Sequence, residues 1–403
     1  MRIMYFAYEG FDCHNGTNHL AIKLLDYLLN EGFDIYLLTS HTTGENPDIP
    51  SIFHNRERFR YDIVRRKVVD KKNFIWRYIS GMKYAFSCRR RWMKEKKNLD
   101  AIILQSTPTV FFSSVLLKLF FKGKVILNSY DVFPNVAFDS GILKGKFVYK
   151  VFSYLQKRVY KYCTKIIVIS SDMMNTLIRE GVEKDKIIQI NNWYDDDNVR
   201  QISPNENSFI KKYNLSSDLF YIQYAGNFGY TFDYNFVIEV ADALQSNKQI
   251  VFHMIGDGAR QDEFVHIVGE KKLNNIDFIP WQPSNMISDV YSACDLALIP
   301  LAKDVIKNSY PSKCSLLMAC GKTVICATEE NSDFYNTINS NCIGVCVSNR
   351  NPQHAAEIIN NLFLDRRKLA TIGQNAKKYG DEHYSSSACL PKFKELLKEL
   401  IER

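Results

Sequence analysis

Residues 219–229 read LFYIQYAGNFG, an apolar run that ends in two glycines with an asparagine and a phenylalanine between them. A continuous short apolar run is typical of a strand buried on both faces of a parallel sheet. A helical pattern follows from about Phe232 to Gln245. The stretch therefore predicts a strand, a glycine turn and a helix, and the glycines allow the backbone to approach a ligand closely.

The same order of elements recurs along the chain. Further strand segments in the second half are QIVFHMIG, NIDFIPW, CDLALIP, KTVICAT and GVCV, and those in the first half are MRIMYFAY, FDIYLLTS, LDAIILQS, KVILNSY and TKIIVISS. Helical stretches separate these segments, which predicts parallel sheets with helices on both faces. Helices at about 352–364 and 366–380, and an amphipathic LPKFKELLKELIE helix, end the chain.

A chain of 403 residues is too long for one compact core, and the pattern restarts after a polar stretch near residues 195–214. We therefore predict an α/β protein with two doubly wound, Rossmann-like domains. The first spans residues 1–198 and the second residues 199–380, and residues 381–403 form a C-terminal helix that packs back toward the first domain.

The composition, 46% apolar and 24% charged, is that of an ordinary globular protein and excludes disordered, collagen-like and coiled-coil classes. The ten cysteines include no Cys-x-x-Cys pair and no zinc spacing, so free thiols in a reducing compartment are expected. The N-terminus has no signal-peptide pattern. Polar residues at 105–109 interrupt the one long uncharged segment, so we expect no transmembrane helix and place the protein in the cytoplasm.

The net charge of +8 is unevenly divided, with +11 in residues 1–200 and −3 in the rest. Residues 60–97 hold 14 basic and three acidic side chains, and residues 144–165 hold seven basic and none acidic. This pattern predicts a polyanionic neighbour, which would be nucleic acid, anionic lipid or a phosphorylated substrate; a solvated helix face is the plain alternative. Aromatic residues among the charges of residues 60–97 favour a membrane surface, and no nucleic-acid-binding motif accompanies them.

Missing motifs narrow the chemistry. There is no phosphate loop of the Gly-x-x-x-x-Gly-Lys type, no Gly-x-Gly-x-x-Gly after the first strand, no His-Glu-x-x-His and no Gly-x-Ser-x-Gly. Nucleotide hydrolysis, hydride transfer and serine hydrolysis are thereby disfavoured. Asp195, Asp196 and Asp197 are interpreted as a linker turn, so no metal site is predicted.

The candidate binding residues lie in three loops at the ends of second-domain strands. The first contains Gly226, Asn227 and Gly229, and the second contains Gly256, Asp257 and Gly258. In the third, Pro311 and Ser312 open a helix that carries Lys313. Free N–H groups, the helix dipole and one ammonium would bind a diphosphate there, whereas an exposed helix-start lysine is the plain alternative.

In this order, GNFG, IGDG, YSACDLALIPL, SYPSK and MACGKTVICA resemble the second domain of glycosyltransferase family 4, a GT-B enzyme class. NSYDVFPNVAFDSGIL, IIVISSDMMNTLIREGV and NNWYDD are similar to its branch of bacterial capsule, O-antigen and exopolysaccharide transferases. The resemblance covers the chain from Met1 to about residue 380. It implies a GT-B fold in which the two domains face each other across a cleft.

The resemblance also implies roles for particular residues. The glycine loops, Ser312 and Lys313 would face the donor diphosphate, and Trp281 with Gln282 would hold the nucleobase. Asp131 would face the reacting sugar and the acceptor as the catalytic residue, although a helix cap or turn is its plain alternative. The loop of Asn15, Gly16 and Thr17 would approach the donor phosphate or the acceptor.

Three positions depart from the family pattern. Leu316 stands where many members have a glutamate, Tyr130 stands where a histidine is common, and no basic residue follows Gly226 before Lys248. We expect Lys303, Lys307 and Lys313 to replace the missing cations.

The leading hypothesis is a retaining, metal-independent transfer of a hexosyl or N-acetylhexosaminyl group from a UDP-sugar to a lipid-linked oligosaccharide. The first domain would be on the acceptor side and would bind the anionic inner face of the cell membrane, and no cofactor or nucleic acid is expected. Two alternatives are a catalytically silent GT-B subunit that binds a glycan or a partner transferase, and a GT-B sugar-nucleotide epimerase.

Overall fold

The computed structural model describes residues 1–8, 10–11, 18–41, 49–67, 74–107 and 109–402. The chain divides into two compact units. The first unit comprises residues 1–136, 144–191 and 389–403, and the second comprises residues 137–143 and 192–388.

The first unit contains a fully parallel sheet of seven described strands in the order β3-β2-β1-β4-β5-β6-β7. The strands are β1 Arg2–Phe6, β2 Asp34–His41, β3 Phe59–Arg65, β4 Ala101–Gln105, β5 Lys124–Ser129, β6 Lys165–Val168 and β7 Ile187–Gln189. The helices along this part of the chain are α1 Asn18–Asn30, α2 Phe74–Glu95, α3 Val110–Phe120, α4 Asn135–Asp139, α5 Lys146–Tyr162 and α6 Ser171–Arg179.

The second unit contains a parallel sheet of six described strands in the order β10-β9-β8-β11-β12-β13. The strands are β8 Phe220–Asn227, β9 Ile250–Asp257, β10 Ile276–Ile279, β11 Leu296–Pro300, β12 Thr323–Thr328 and β13 Val345–Ser348. The helices that follow α6 are α7 Ser208–Tyr213, α8 Tyr234–Leu244, α9 Gln261–Glu270, α10 Ile287–Ser292, α11 Lys313–Ala319, α12 Asp333–Ser340, α13 Pro352–Leu364, α14 Arg366–His383 and α15 Ser386–Glu402.

The predicted apolar runs form the five central strands of the first sheet and the six described strands of the second. β4 and β11 are buried at every position, because each lies between two other strands. β3 and β7 were not predicted; they are the two edge strands of the first sheet. β3 is buried at only two of its seven positions, and β7 has only three residues.

α15 returns to the first unit, to which its residues from Cys389 onward belong. Its buried residues Phe393, Leu396, Leu397 and Leu400 recur at helical spacing along one face. Lys394 Nζ lies 2.6 Å from Glu31 Oε2, beyond the end of α1.

The aspartates at 195–197 form a turn, as predicted. Asn198 donates its backbone N–H to Asp195 O at 3.0 Å and its side-chain amide to Asp195 Oδ2 at 2.7 Å. Asp196 accepts a hydrogen bond from the Ser386 hydroxyl. None of the helices in the described ranges is long and apolar enough to cross a membrane.

Candidate functional site

In the second sheet the strand order reverses between β8 and β11, and the loops that follow these strands lie side by side. Ala302 N donates to Thr231 O at 3.0 Å, and Leu301 pairs in antiparallel fashion with Phe232. Doubly wound sheets bind ligands at such reversal points, outside the carboxyl ends of the strands. We therefore define the candidate site by three loops: the β8 loop (residues 226–233), the β9 loop (residues 256–260) and the β11 loop (residues 301–312).

The β8 and β9 loops form one layer of backbone. Gly226 and Gly256 are register partners, and a Cβ on Gly256 would lie only 2.0 Å from Gly226 O. Gly256 also has a φ of +138°, a conformation that residues with a side chain rarely adopt. Phe228 N donates to Asp257 O at 2.9 Å, and Arg260 N donates to Phe228 O at 3.0 Å. Gly256 is thus required by direct contact between the two loops.

Phe228 anchors the β8 loop in the core of the second unit. Its side chain is only 1% exposed, and its ring centroid lies 5.4 Å from that of Phe232 and 6.0 Å from that of Phe264. Asn227 precedes Phe228 in the chain, and Asp257 faces it from the β9 loop. Both residues are exposed at the carboxyl ends of their strands. The loop therefore has a fixed underside and a polar upper side.

The predicted residues Gly229 and Gly258 also lie in this layer. A Cβ on Gly258 would lie 2.4 Å from Asn227 Oδ1, and one on Gly229 would lie 3.0 Å from Asn227 Nδ2. The structure therefore brings all six predicted residues of the β8 and β9 loops together.

Lys313, at the start of α11, lies against the backbone of Gly226. A Cβ on Gly226 would lie 2.6 Å from Lys313 Nζ and 2.1 Å from its Cε. The Lys313 ammonium is 4.7 Å from the centroid of the Tyr224 ring, and the Tyr224 hydroxyl donates to Asn227 O at 3.0 Å. Burial lowers the pKa of Lys313 to about 8, because the charged form loses its hydration.

Tyr224 is a residue of the site that the sequence prediction missed. It lies two positions before Gly226 on β8 and therefore on the same face of the strand. This spacing from Gly226 could have indicated that Tyr224 belongs to the site, but an aromatic residue in an apolar strand is far more often part of the core.

The other two predicted cations share a carboxylate. Lys307 Nζ lies 2.6 Å from Asp304 Oδ1, and Lys303 Nζ lies 4.0 Å from Asp304 Oδ2. Asp304 N donates to Glu329 Oε1 at 2.6 Å, which fixes the β11 loop to the end of β12. Within the described chain, Lys313 is the one of the three that makes no ion pair with a carboxylate.

The start of α11 offers fewer free amides than predicted. Cys314 N already donates to Pro311 O at 2.8 Å, and α11 has seven residues. Ser312 is exposed, and its side chain caps no backbone group of the helix. Leu316 lies one turn after Lys313, partly exposed. The prediction of a helix-start site therefore depends mainly on Ser312 and the Lys313 ammonium.

Trp281 and Gln282 follow β10 and differ in exposure. The Trp281 side chain is 59% exposed. The Gln282 amide donates to Pro280 O at 2.7 Å and to the Tyr213 hydroxyl at 2.9 Å, and it accepts from Lys212 Nζ at 3.0 Å. Gln282 therefore positions this loop, while Trp281 presents an aromatic face. Lys212 and Tyr213 belong to α7. Their contacts with Gln282 could not be predicted from the sequence, because they lie about 70 positions away.

In the first unit, Asp131 follows β5 and is exposed at the carboxyl edge of the sheet. Ser129 Oγ donates to Asp131 O at 2.9 Å, which fixes the backbone there. Tyr130 is buried, its hydroxyl accepts from Asn128 Nδ2 at 3.0 Å, and burial raises its pKa to about 12. Tyr130 is therefore a residue of the interior. The predicted loop residues Asn15, Gly16 and Thr17 lie outside the described residues.

Comparison with known proteins identifies the family. The family model for Glycosyltransferase Family 4 matches residues 14–198, and the model for Glycosyl transferases group 1 matches residues 205–379. Together the two models match most of the chain, which belongs to glycosyltransferase family 4. The resemblance inferred from the sequence is thereby confirmed, and so is the GT-B class of fold.

The chain is 23% identical over 391 residues to a Pseudomonas aeruginosa protein named "Probable glycosyltransferase WbjE", a match that covers 96% of this chain and 95% of the relative. It is 22% identical over 275 residues to WcaI of Escherichia coli K12, named as a colanic acid biosynthesis glycosyl transferase, covering 66% of this chain and 65% of WcaI. The crystal structure of Anabaena Alr3699/HepE in complex with UDP superposes with a TM-score of 0.74 at 16% identity, covering 99% of this chain and 100% of that one.

Proposed function

We propose that this glycosyltransferase moves a hexosyl or N-acetylhexosaminyl group, with retention of configuration, from a UDP-sugar to a lipid-linked oligosaccharide during assembly of a surface polysaccharide. The observation that carries the proposal is the contact of Lys313 with the glycine layer at the reversal point of the second sheet. A relative named for colanic acid biosynthesis supports the product class, and a structural neighbour in complex with UDP supports the nucleotide.

In this proposal the leaving diphosphate lies along the β8 and β9 loops. Charge builds up on it as the bond to the sugar breaks, and the Lys313 ammonium and the Ser312 hydroxyl stabilise that charge. The backbone of the β8 and β9 loops is fixed before the donor binds, because Phe228 and the contact between the loops hold it. Lys313 and Ser312 provide the electrostatic stabilisation that a divalent metal would otherwise supply.

The nucleobase stacks on Trp281, whose loop Gln282 and Lys212 hold in place. Asp131 orients the acceptor hydroxyl or accepts its proton, a role that suits an exposed carboxylate at the end of a strand.

A transfer assay tests the proposal. The purified protein is incubated with a lipid-linked oligosaccharide fraction and each of a panel of UDP- and GDP-sugars, and the product anomer is read by NMR. We expect transfer from one UDP-sugar with the donor's configuration kept, and loss of transfer in Asp131→Asn. An inverted product would contradict the retaining mechanism, and no transfer or nucleotide binding with any donor would favour the catalytically silent subunit.

A further inference from the structure

Helix α5 has two apolar faces, of which one has no partner in the described first unit. Its inner face packs into the unit through Phe152, Val159 and Tyr160: the Phe152 ring centroid lies 4.8 Å from that of Tyr78 and 5.8 Å from that of Phe133. A surface helix ordinarily has one apolar face and one polar face. The outward face of α5 therefore requires an explanation.

The outward apolar residues form one continuous stripe. Phe147, Val151 and Tyr154 are spaced by four and three residues, so they lie above one another on the same side of the helix. They are 79%, 41% and 57% exposed. Single exposed apolar residues are normal on a protein surface, but an aligned group of large ones marks an interaction surface.

Basic side chains line one flank of this stripe. Lys146, Lys150, Lys157 and Lys161 are all exposed, and their spacing places them along a second line beside the apolar one. Arg158 lies at the end of the stripe, where its guanidinium donates to the Tyr154 hydroxyl at 2.6 Å. Residues 144–165 contain no acidic side chain. The partner must therefore combine negative charge with an apolar layer directly beneath it.

We propose that the outward stripe of α5 docks on the surface of an anionic lipid bilayer, with Phe147, Val151 and Tyr154 in the acyl boundary and the flanking lysines at the headgroups. This inference rests on the proposed function, which includes binding of the first domain to an anionic membrane, and it assigns that binding to α5. The sequence pattern of residues 60–97 pointed mainly to α2, whereas α5 presents a continuous apolar stripe with uniformly positive charge. A nucleic acid would match the charge but would leave the apolar stripe exposed.

Co-flotation with vesicles of phosphatidylcholine and phosphatidylglycerol at low salt tests the surface. We expect the wild type to float with these vesicles and to remain unbound with pure phosphatidylcholine. Phe147→Ser/Val151→Ser/Tyr154→Ser should lower the partition at least about tenfold. Lys146→Gln/Lys150→Gln/Lys157→Gln should lower it on the order of 100-fold, because each charge near the surface contributes about fivefold.

Matched controls come from the second unit. Leu364→Ser removes a side chain of comparable exposure, and Lys248→Gln/Lys271→Gln/Lys272→Gln removes three exposed lysines. Neither control should change flotation. Because α5 belongs to the first unit and the candidate donor site to the second, UDP binding should remain unchanged in every variant, so a failure of docking is distinguishable from a failure of the proposed function.

Two outcomes would overturn the proposal. One is equal flotation of the wild type and the stripe variant. The other is tight binding of a duplex oligonucleotide that the lysine variant loses and the stripe variant keeps, which would assign the surface to nucleic acid.

Discussion

At the scale of single residues, Lys313 provides the cationic contact of the candidate site. Its ammonium lies over the Tyr224 ring and against Gly226, whereas the ammonium of Lys307 is held by Asp304. The lysine itself was predicted from the sequence through its place in the SYPSK segment. The sequence could not show which of the predicted lysines would pair with a carboxylate. The pairing of Lys307 with Asp304, for example, depends on the conformation of the β11 loop.

Replacing Lys313 by alanine should weaken donor binding. A hydrogen bond to a charged group contributes about 1.5–3 kcal/mol, so the Kd for a UDP-sugar should rise about 10- to 100-fold in a calorimetric titration. Lys307→Ala is the matched control, and it should change the Kd by less than about threefold because that ammonium is already paired. Unchanged affinity and turnover in Lys313→Ala would remove this residue from the site.

Donor affinity should also depend on pH through Lys313. Its pKa in the free protein is lowered to about 8, so the ammonium is present below that pH and is lost above it. The Kd should be constant below neutral pH and should rise by up to about tenfold per pH unit above the pKa. Lys313→Arg, whose guanidinium stays charged, should show no rise over this range. A flat profile in the wild type would mean that the charge of Lys313 does not contribute.

At the scale of elements, the sequence predicted the strands with apolar runs, which include both edge strands of the second sheet, β10 and β13, but it missed the two edge strands of the first sheet. β3 reads FRYDIVR and carries charged residues on an edge, where one face meets solvent. The two glycine loops were predicted separately, because each follows an apolar strand. Their mutual contact was not, since it joins residues about 30 positions apart through the pairing of β8 with β9.

The β8 loop should depend on its buried anchor. Phe228→Ala removes a ring packed against Phe232 and Phe264, and such a truncation costs about 3–5 kcal/mol in the free energy of unfolding. We expect a lower urea midpoint together with weaker UDP binding. Tyr230→Ala, at an exposed position of the same loop, should change stability by no more than about 0.5 kcal/mol. Wild-type stability in Phe228→Ala would show that the loop is held by other contacts.

At the scale of the whole molecule, the net charge differs between the two halves of the chain, and each compact unit is built from more than one segment of the chain. The first half carries +11 and the second −3, and the first unit is completed by residues from the C-terminal end of the chain. The charge division was evident from the sequence. The bounds of the units depend on long-range packing, as when residues 137–143 join the second unit and Asn308 donates to Asp139 at 2.7 Å.

Deleting residues 389–403 should destabilise the first unit. The deletion removes the buried face of α15 formed by Phe393, Leu396, Leu397 and Leu400, and it exposes the apolar surface that this face covers. Thermal unfolding followed by circular dichroism should show a lower midpoint, and limited proteolysis should cut first within residues 1–191. Lys394→Ala, which removes the contact with Glu31, is the control and should leave the midpoint nearly unchanged. A truncated protein with the wild-type midpoint would show that α15 is dispensable for folding.

The proposed activity requires a nucleotide-sugar site at the reversal point of the second sheet. Saturation-transfer NMR with a panel of UDP- and GDP-sugars tests it most directly, with the wild type compared to Trp281→Ala. We predict saturation of the uracil and ribose protons of at least one UDP-sugar, displacement by UDP, and a weaker uracil signal in Trp281→Ala. The absence of saturation on every nucleotide would contradict the account.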